Sequence, residues 1–163
     1  MSCVRSVFSL LLTTAFLLTG HGLHMTFLPL MASEIGLSQA VIGLSGSAYF
    51  VGFISGALVT PHIIAKVGHI RSFTTLMAVF LCCFQVLPMT DAGWVWILTR
   101  FLLGAVMCGA YTVVESWLSD QADERSHGRV LGIYTFIVLT AMAAGQGILG
   151  LTYGDAAQVF AVI

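Results

Sequence analysis

The sequence predicts an all-α fold, a polytopic bundle of transmembrane helices. Of its 163 residues, 58% are hydrophobic and 8% are charged, whereas soluble domains carry about 25% charged residues. The mean hydropathy is +1.00, and runs of the roughly 20 apolar residues needed to cross a bilayer recur along the chain. Because so few polar residues could not cover a water-exposed surface, we expect lipid to surround the helices.

The few basic residues indicate how the chain crosses the membrane. Six Lys and Arg residues are present, and all but Arg100 lie beside alternate apolar runs, at positions 5, 66, 71, 125 and 129. The intervening turns carry Glu34, Asp91 and Asp155 instead. Since Lys and Arg are retained in cytoplasmic loops, we expect a multi-pass protein of the cell (inner) membrane with a cytoplasmic N-terminus.

The apolar runs define the expected helices. The first five cover about residues 6–31, 39–65, 72–90, 94–118 and 129–152. The first is longer than a signal-peptide h-region of about 7 to 15 residues, so we interpret it as a retained helix. A sixth run, 156–163, would rise only about 12 Å, against a hydrocarbon core of about 30 Å. The sequence therefore predicts a fragment, truncated within helix 6.

Tryptophans and small residues predict where helices end and how they pack. Trp94 and Trp96 begin helix 4 and Trp117 ends it, as is typical of aromatic belts at the two membrane interfaces. Stripes of small residues let helices approach closely in lipid. The residues expected to pack in this way are Gly52, Gly56, Gly104, Gly145 and Gly150.

Composition and spacing exclude several classes of function. A net charge of −1 provides no basic surface for nucleic acid. The four cysteines lack metal-ligand spacing, so we interpret them as packing residues and expect no metal or other cofactor. The sequence contains neither a P-loop nor a nucleophile constellation. We therefore expect a protein that is not an enzyme and does not use ATP directly.

Three segments resemble signatures of the major facilitator superfamily. The link after helix 2 reads AKVGHIR at residues 65–71. It resembles the family's loop D-R-x-G-R followed by Arg or Lys, with an alanine for the aspartate and His69 for an arginine. Helix 4 carries the R-x-x-x-G pattern at residues 100–104, and residues 132–150 resemble the antiporter signature of helix 5. The chain looks most like a bacterial branch related to drug and solute proton antiporters.

This resemblance implies the N-terminal half of a twelve-helix transporter, in which helices 1–3 and 4–6 form inverted repeats. It also implies a cytoplasmic latch between the basic link and an acidic partner at the end of helix 4. The latch residues would be Lys66, Gly68, His69, Arg71, and Glu115 or Asp120. The alternative for the basic link is ordinary anchoring at the cytoplasmic face.

One face of helix 4 is expected to line the transport cavity. At about 100° per residue, Arg100, Gly104, Met107, Tyr111 and Glu115 fall within roughly 80° of one another. Ionisable residues in membranes usually face the bundle interior. We expect Arg100 to attract an anionic group of the substrate and Tyr111 to offer a hydrogen bond and an aromatic surface. The alternative is that Arg100 bonds a backbone carbonyl or snorkels to the interface.

Two histidines in helix 1 are the expected proton carriers. His21 and His24 are three residues apart and lie on neighbouring faces. Imidazole changes its protonation state near physiological pH, which suits it to couple proton movement to solute movement. The alternative is that both histidines hydrogen-bond between packed helices.

The predicted function is transport of a small solute across the membrane by alternating access, as a secondary transporter coupled to protons. Antiport, symport and uniport all remain open. The alternative is a nontransporting membrane scaffold or sensor, or an inactive transporter fragment. The expected partners are a small-molecule substrate, protons, the lipid bilayer and the C-terminal half of the transporter.

Overall fold

The described residues fold into five long α-helices. The computed structural model describes the backbone of residues 2–121 and 127–152, and the side chains of residues 8–121 and 127–151. In chain order the helices are α1 (Ser2–Glu34), α2 (Gln39–Val67), α3 (His69–Val86), α4 (Gly93–Gln121) and α5 (His127–Thr152), and a short 3-10 helix (Leu87–Met89) follows α3. All five α-helices are long and apolar enough to cross a membrane. The predicted all-α bundle is confirmed, and the expected sixth helix lies outside the described residues.

A single residue, Gly68, separates α2 from α3, so α3 begins at His69 rather than near residue 72. Gly68 has φ 82° and ψ 170°, a conformation essentially restricted to glycine. Its N–H donates to the carbonyl oxygen of Ile64 at 2.8 Å. Its own carbonyl oxygen accepts from the Ser72 N–H at 3.2 Å and from the Ser72 hydroxyl at 2.7 Å. One residue therefore ends one helix and starts the next.

The link between α1 and α2 is also compact. Gly36 has φ 83°, and the N–H of Leu37 donates to the carbonyl oxygen of Ala32 at 3.0 Å, a pattern that ends helices by satisfying a free carbonyl. Ser38 then caps α2, because its hydroxyl oxygen accepts from the N–H of Val41 at 3.4 Å. Four residues, 35–38, therefore connect the two helices.

The first turn of α4 contains a buried tryptophan. Trp96 is 1% exposed, and its indole N–H donates to the carbonyl oxygen of Thr90 at 2.9 Å. Trp94 is 71% exposed. The assignment of both residues to a lipid-facing belt is therefore wrong for Trp96, because its indole satisfies a backbone carbonyl inside the protein instead of meeting headgroups.

The chain divides into two compact units, Met1–Met31 with Leu118–Ile163, and Ala32–Trp117. In the second unit, α2 and α4 cross at glycines. A Cβ atom on Gly52 would overlap the carbonyl oxygen of Phe101, one on Gly56 that of Ala105, and one on Gly104 that of Tyr49. The two backbones therefore touch, which is how helices gain van der Waals contact in lipid.

In the first unit, α1 and α5 meet in the same way. A Cβ atom on Gly22 would overlap the backbone of Met142, and one on Gly145 would overlap the carbonyl oxygen of Thr19. At Gly150, by contrast, no described atom lies within 4 Å of an added Cβ. Among the expected packing glycines, Gly150 is thus the one that the described residues do not place in a helix crossing.

Candidate functional site

Arg100 lies inside the unit formed by α2, α3 and most of α4, although it carries a permanent charge. Arg100 is only 5% exposed, and Tyr49 on α2 is 3% exposed. The guanidinium carbon of Arg100 lies 4.8 Å from the centroid of the Tyr49 ring, which is a cation–π arrangement. Gly104, one turn along α4, makes this contact possible because it lets the α2 backbone approach at Tyr49.

Three aromatic rings continue from Arg100 towards the other end of α4. We call Tyr49, Phe53 and Tyr111 the aromatic row. The Tyr49 and Phe53 ring centroids are 6.3 Å apart, and those of Phe53 and Tyr111 are 6.2 Å apart at an interplanar angle of 58°. The row therefore joins the two predicted substrate residues, Arg100 and Tyr111, through two side chains of α2 that the sequence reasoning missed.

The signal that could have located Tyr49 and Phe53 is their position beside the glycine stripe. Tyr49, Gly52 and Gly56 are spaced at three and four residues, so they share one face of α2. All three are buried. Sequence reasoning treated the stripe only as a packing device. An aromatic residue on the same helix face as such a stripe packs against the neighbouring helix.

The remaining residues of the predicted α4 face differ in their exposure. Met107 is fully buried, Tyr111 is half-buried and Glu115 is exposed. Because α4 rises about 1.5 Å per residue, Arg100 and Glu115 lie about 22 Å apart along its axis. The face thus changes from a buried cation through aromatic rings to an exposed carboxylate.

An apolar groove also runs between α2 and α4. It has a volume of about 520 Å³, and Leu44, Val51, Trp94 and Phe101 are among its lining residues. None of its lining residues is charged. We therefore locate the candidate recognition chemistry at Arg100 and the aromatic row rather than in this groove.

The two histidines of α1 are both buried, His21 at 3% and His24 at 1% exposure. Their ring centroids are 6.3 Å apart, with an interplanar angle of 40°. Between them lies Gly22, which packs against Met142 of α5. The α1–α5 crossing thus contains two titratable rings close enough for one protonated ring to affect the other.

At the predicted latch, a histidine makes the contact with α4. His69 Nε2 lies 3.0 Å from the hydroxyl oxygen of Ser116, and the His69 ring stacks on Trp117 with a centroid distance of 6.2 Å and an angle of 26°. Lys66, Gly68, Arg71, Glu115 and Asp120 are all exposed. The start of α3 is therefore joined to α4 by a hydrogen bond and a ring stack.

No cluster of three or more potential metal ligands occurs among the described His, Cys, Asp and Glu residues. Within the same ranges, Cys82, Cys83 and Cys108 are free thiols, and two of them are buried. Buried thiols in membrane helices pack as small apolar side chains.

These features define a multi-pass membrane protein built from packed helices. The Major Facilitator Superfamily model matches residues 10–162, and the chain belongs to this family. It is also similar to proteins named "Uncharacterized MFS-type transporter YcaD" from Escherichia coli strains E24377A, HS and K12 / DH10B. Each is 29% identical over 121 residues, which cover 74% of this chain and 32% of the relative. No solved structure matches the chain significantly.

The chain thus spans about a third of the length of the curated relatives that it matches. The family resemblance predicted from residues 65–71, 100–104 and 132–150 is confirmed. Five helices that can cross a membrane, together with the family, establish a multi-pass membrane protein.

Proposed function

We propose that the chain forms the N-terminal half of a secondary transporter that moves a small solute by alternating access. The observation that carries this proposal is the buried Arg100 on a membrane-spanning helix, next to the aromatic row. A charged side chain inside a membrane is costly and usually marks a substrate or ion pathway. Membership of a transporter family supports the same reading and favours a transporter over an enzyme.

Proton coupling is assigned to His21 and His24. Both rings are buried at the α1–α5 crossing, and imidazole can gain or lose a proton between about pH 5 and 8. A proton shared by this pair would change the charge of the crossing once per transport cycle. In this proposal the histidines carry the driving ion, whereas Arg100 and Tyr111 contact the solute.

The cytoplasmic latch is assigned to the joint between α3 and α4. His69 contacts Ser116 and Trp117. The exposed charged residues Lys66, Arg71 and Glu115 lie within three residues of these contacts in the sequence. We infer that the joint opens and closes as the two halves of the transporter rock. We place the N-terminus in the cytoplasm, because Lys and Arg residues of short links are retained on that side of the membrane.

The proposal is tested by solute uptake into vesicles that contain the complete gene product, with and without a pH gradient. The expected result is uptake that a gradient accelerates, and that Arg100→Gln reduces by about thirty-fold without loss of membrane insertion. Phe136→Leu on α5 serves as the control, because it replaces an aromatic ring that is 70% exposed. Properly inserted protein that moves no solute under either condition would instead support a nontransporting scaffold or sensor.

A further inference from the structure

The row of side chains from Arg100 to Tyr111 has two chemically different ends. Arg100 and Tyr49 are buried, whereas Phe53 and Tyr111 are half-buried. The cation therefore lies at the enclosed end of the row and the rings extend towards its more accessible end. A solute that matched the row would carry its charge at one end and its apolar body at the other.

The stacking of Arg100 on Tyr49 determines which part of the guanidinium can recognise a solute. A tyrosine ring contacts the flat face of the group, whereas an anion is bound by the N–H donors in its plane. The two contacts do not compete for the same part of the side chain. Tyr49 can therefore orient the guanidinium without contacting the edge through which guanidinium groups bind carboxylates.

The two rings after Tyr49 define the other half of the recognition. Phe53 and Tyr111 are tilted by 58° with centroids 6.2 Å apart, which is within the range of favourable ring pairs. A planar ring of a solute placed against them would find edges and faces at the distances that aromatic rings prefer. An aliphatic body of equal size would gain contact area but lose this ring geometry.

The glycine crossing keeps the row in place. Gly104 packs against the α2 backbone at Tyr49 and Phe53, so α2 and α4 cannot slide apart without losing this contact. The backbone positions from which the cation and the rings extend are therefore set by this packing. Such preorganisation favours one class of solute over others.

We propose that the transported solute is an aromatic organic anion, with its anionic group bound by Arg100 and its ring by Phe53 and Tyr111. Tyr49 is a positioning residue that acts through Arg100. This inference rests on the proposed function, since it names the solute of the same site. To the anionic group expected from the sequence it adds an aromatic ring in the solute and two specificity-determining residues, Tyr49 and Phe53.

The test compares three ligands that differ in one property at a time. Benzoate has both a ring and a charge, benzamide keeps the ring without the charge, and cyclohexanecarboxylate keeps the charge without the aromatic ring. Their binding to the complete gene product in lipid nanodiscs is measured by equilibrium dialysis. We expect benzoate to bind about ten-fold more tightly than benzamide and about three-fold more tightly than cyclohexanecarboxylate.

Four variants then assign the two preferences to residues. Arg100→Gln should remove the preference for the acid over the amide. Tyr49→Leu should weaken this preference and Tyr49→Phe should restore it, because phenylalanine keeps the ring on which the guanidinium stacks. Phe53→Leu should remove the preference for the aromatic acid. Phe136 on α5 provides the control, because it is 70% exposed and Phe136→Leu should change neither ratio.

The proposal is overturned if the unaltered chain binds benzoate no better than benzamide, or binds none of the three ligands. It is also overturned if Arg100→Gln keeps the preference for the acid. Vesicles that transport a neutral or cationic solute, without preference for the aromatic acid, would remove the ligand class and leave the proposed function intact. Binding with the expected preferences but without transport would keep the ligand class and contradict the proposed transport function.

Discussion

The α2–α4 crossing and the α1–α5 crossing use the same packing device for different chemistry. In each, glycines bring two backbones into contact: Gly52, Gly56 and Gly104 in the first, and Gly22 and Gly145 in the second. The first crossing buries Arg100 against a tyrosine ring, and the second buries His21 and His24. One crossing thus holds a permanent cation, and the other holds groups that can change their charge.

The family topology explains why the two crossings correspond. If helices 1–3 and 4–6 are inverted repeats, α1 is equivalent to α4 and α2 to α5. The α1–α5 crossing in one unit is then the symmetry equivalent of the α4–α2 crossing in the other. In the proposed function, these equivalent crossings have separate tasks, solute binding and proton binding, while the helices pack in the same way.

The largest expected effect comes from filling the crossings. Gly104→Ala and Gly145→Ala should each destabilise the protein by about 3 kcal/mol, because the added methyl group overlaps backbone atoms that no side-chain rotation can move. Thermal unfolding in detergent measures the change. Gly46→Ala and Gly147→Ala are the matched controls, since no described atom lies within 4 Å of either added methyl group. Equal effects at all four positions would contradict the assigned crossings.

The next prediction distinguishes the permanent charge of Arg100 from the protonation of His21 and His24, which depends on pH. Arg100→Gln should reduce uptake of the solute by about thirty-fold at every pH, because the guanidinium stays charged throughout. The double variant His21→Gln, His24→Gln should instead flatten the dependence of uptake on pH between about pH 5 and 8. Uptake measured across this range in vesicles distinguishes the two patterns. A flat profile in Arg100→Gln, or an unchanged profile in the histidine variant, would reverse the assignment.

The sequence was sufficient for the helices and for the residues with unusual chemistry. Apolar run length predicted five helices, and a charge in such a run singled out Arg100. Tyr49 was missed because an aromatic residue in an apolar helix carries no local sign of whether it faces lipid or protein. Trp96 was misplaced for a related reason, since its burial depends on the carbonyl of Thr90. These outcomes depend on tertiary contacts that residue spacing does not encode.

A smaller effect tests the turn at Gly68, which lies in the same unit as the α2–α4 crossing. Gly68→Ala should cost about 1.5 kcal/mol, because alanine is strained at φ 82°. The change in unfolding temperature should be accompanied by looser packing of α2 against α3, while the α1–α5 crossing keeps its stability. Gly128→Ala is a suitable control, since Gly128 has open space among the described residues. A loss of stability no larger than that of the control would argue against the strained turn.

The smallest effect concerns the joint between α3 and α4. His69→Ala should cost about 1 kcal/mol, because it removes the contact with Ser116 and the stack on Trp117. The fluorescence of Trp117, recorded with Trp94 and Trp96 replaced by phenylalanine, reports directly on this joint. We expect the emission to shift to longer wavelength as the indole gains water. An unchanged spectrum would show that the stack does not shield Trp117 in solution.

The claim that matters most is that Arg100 and the aromatic row face the solute pathway. It is tested most directly by the labelling rates of Phe53→Cys and Phe50→Cys with a membrane-impermeant maleimide, in a chain without its native cysteines. Alkylation needs a thiolate in contact with water, so we predict that Phe53→Cys reacts at least about ten-fold faster and that benzoate slows it. Equal rates, or faster labelling at position 50, would contradict the account.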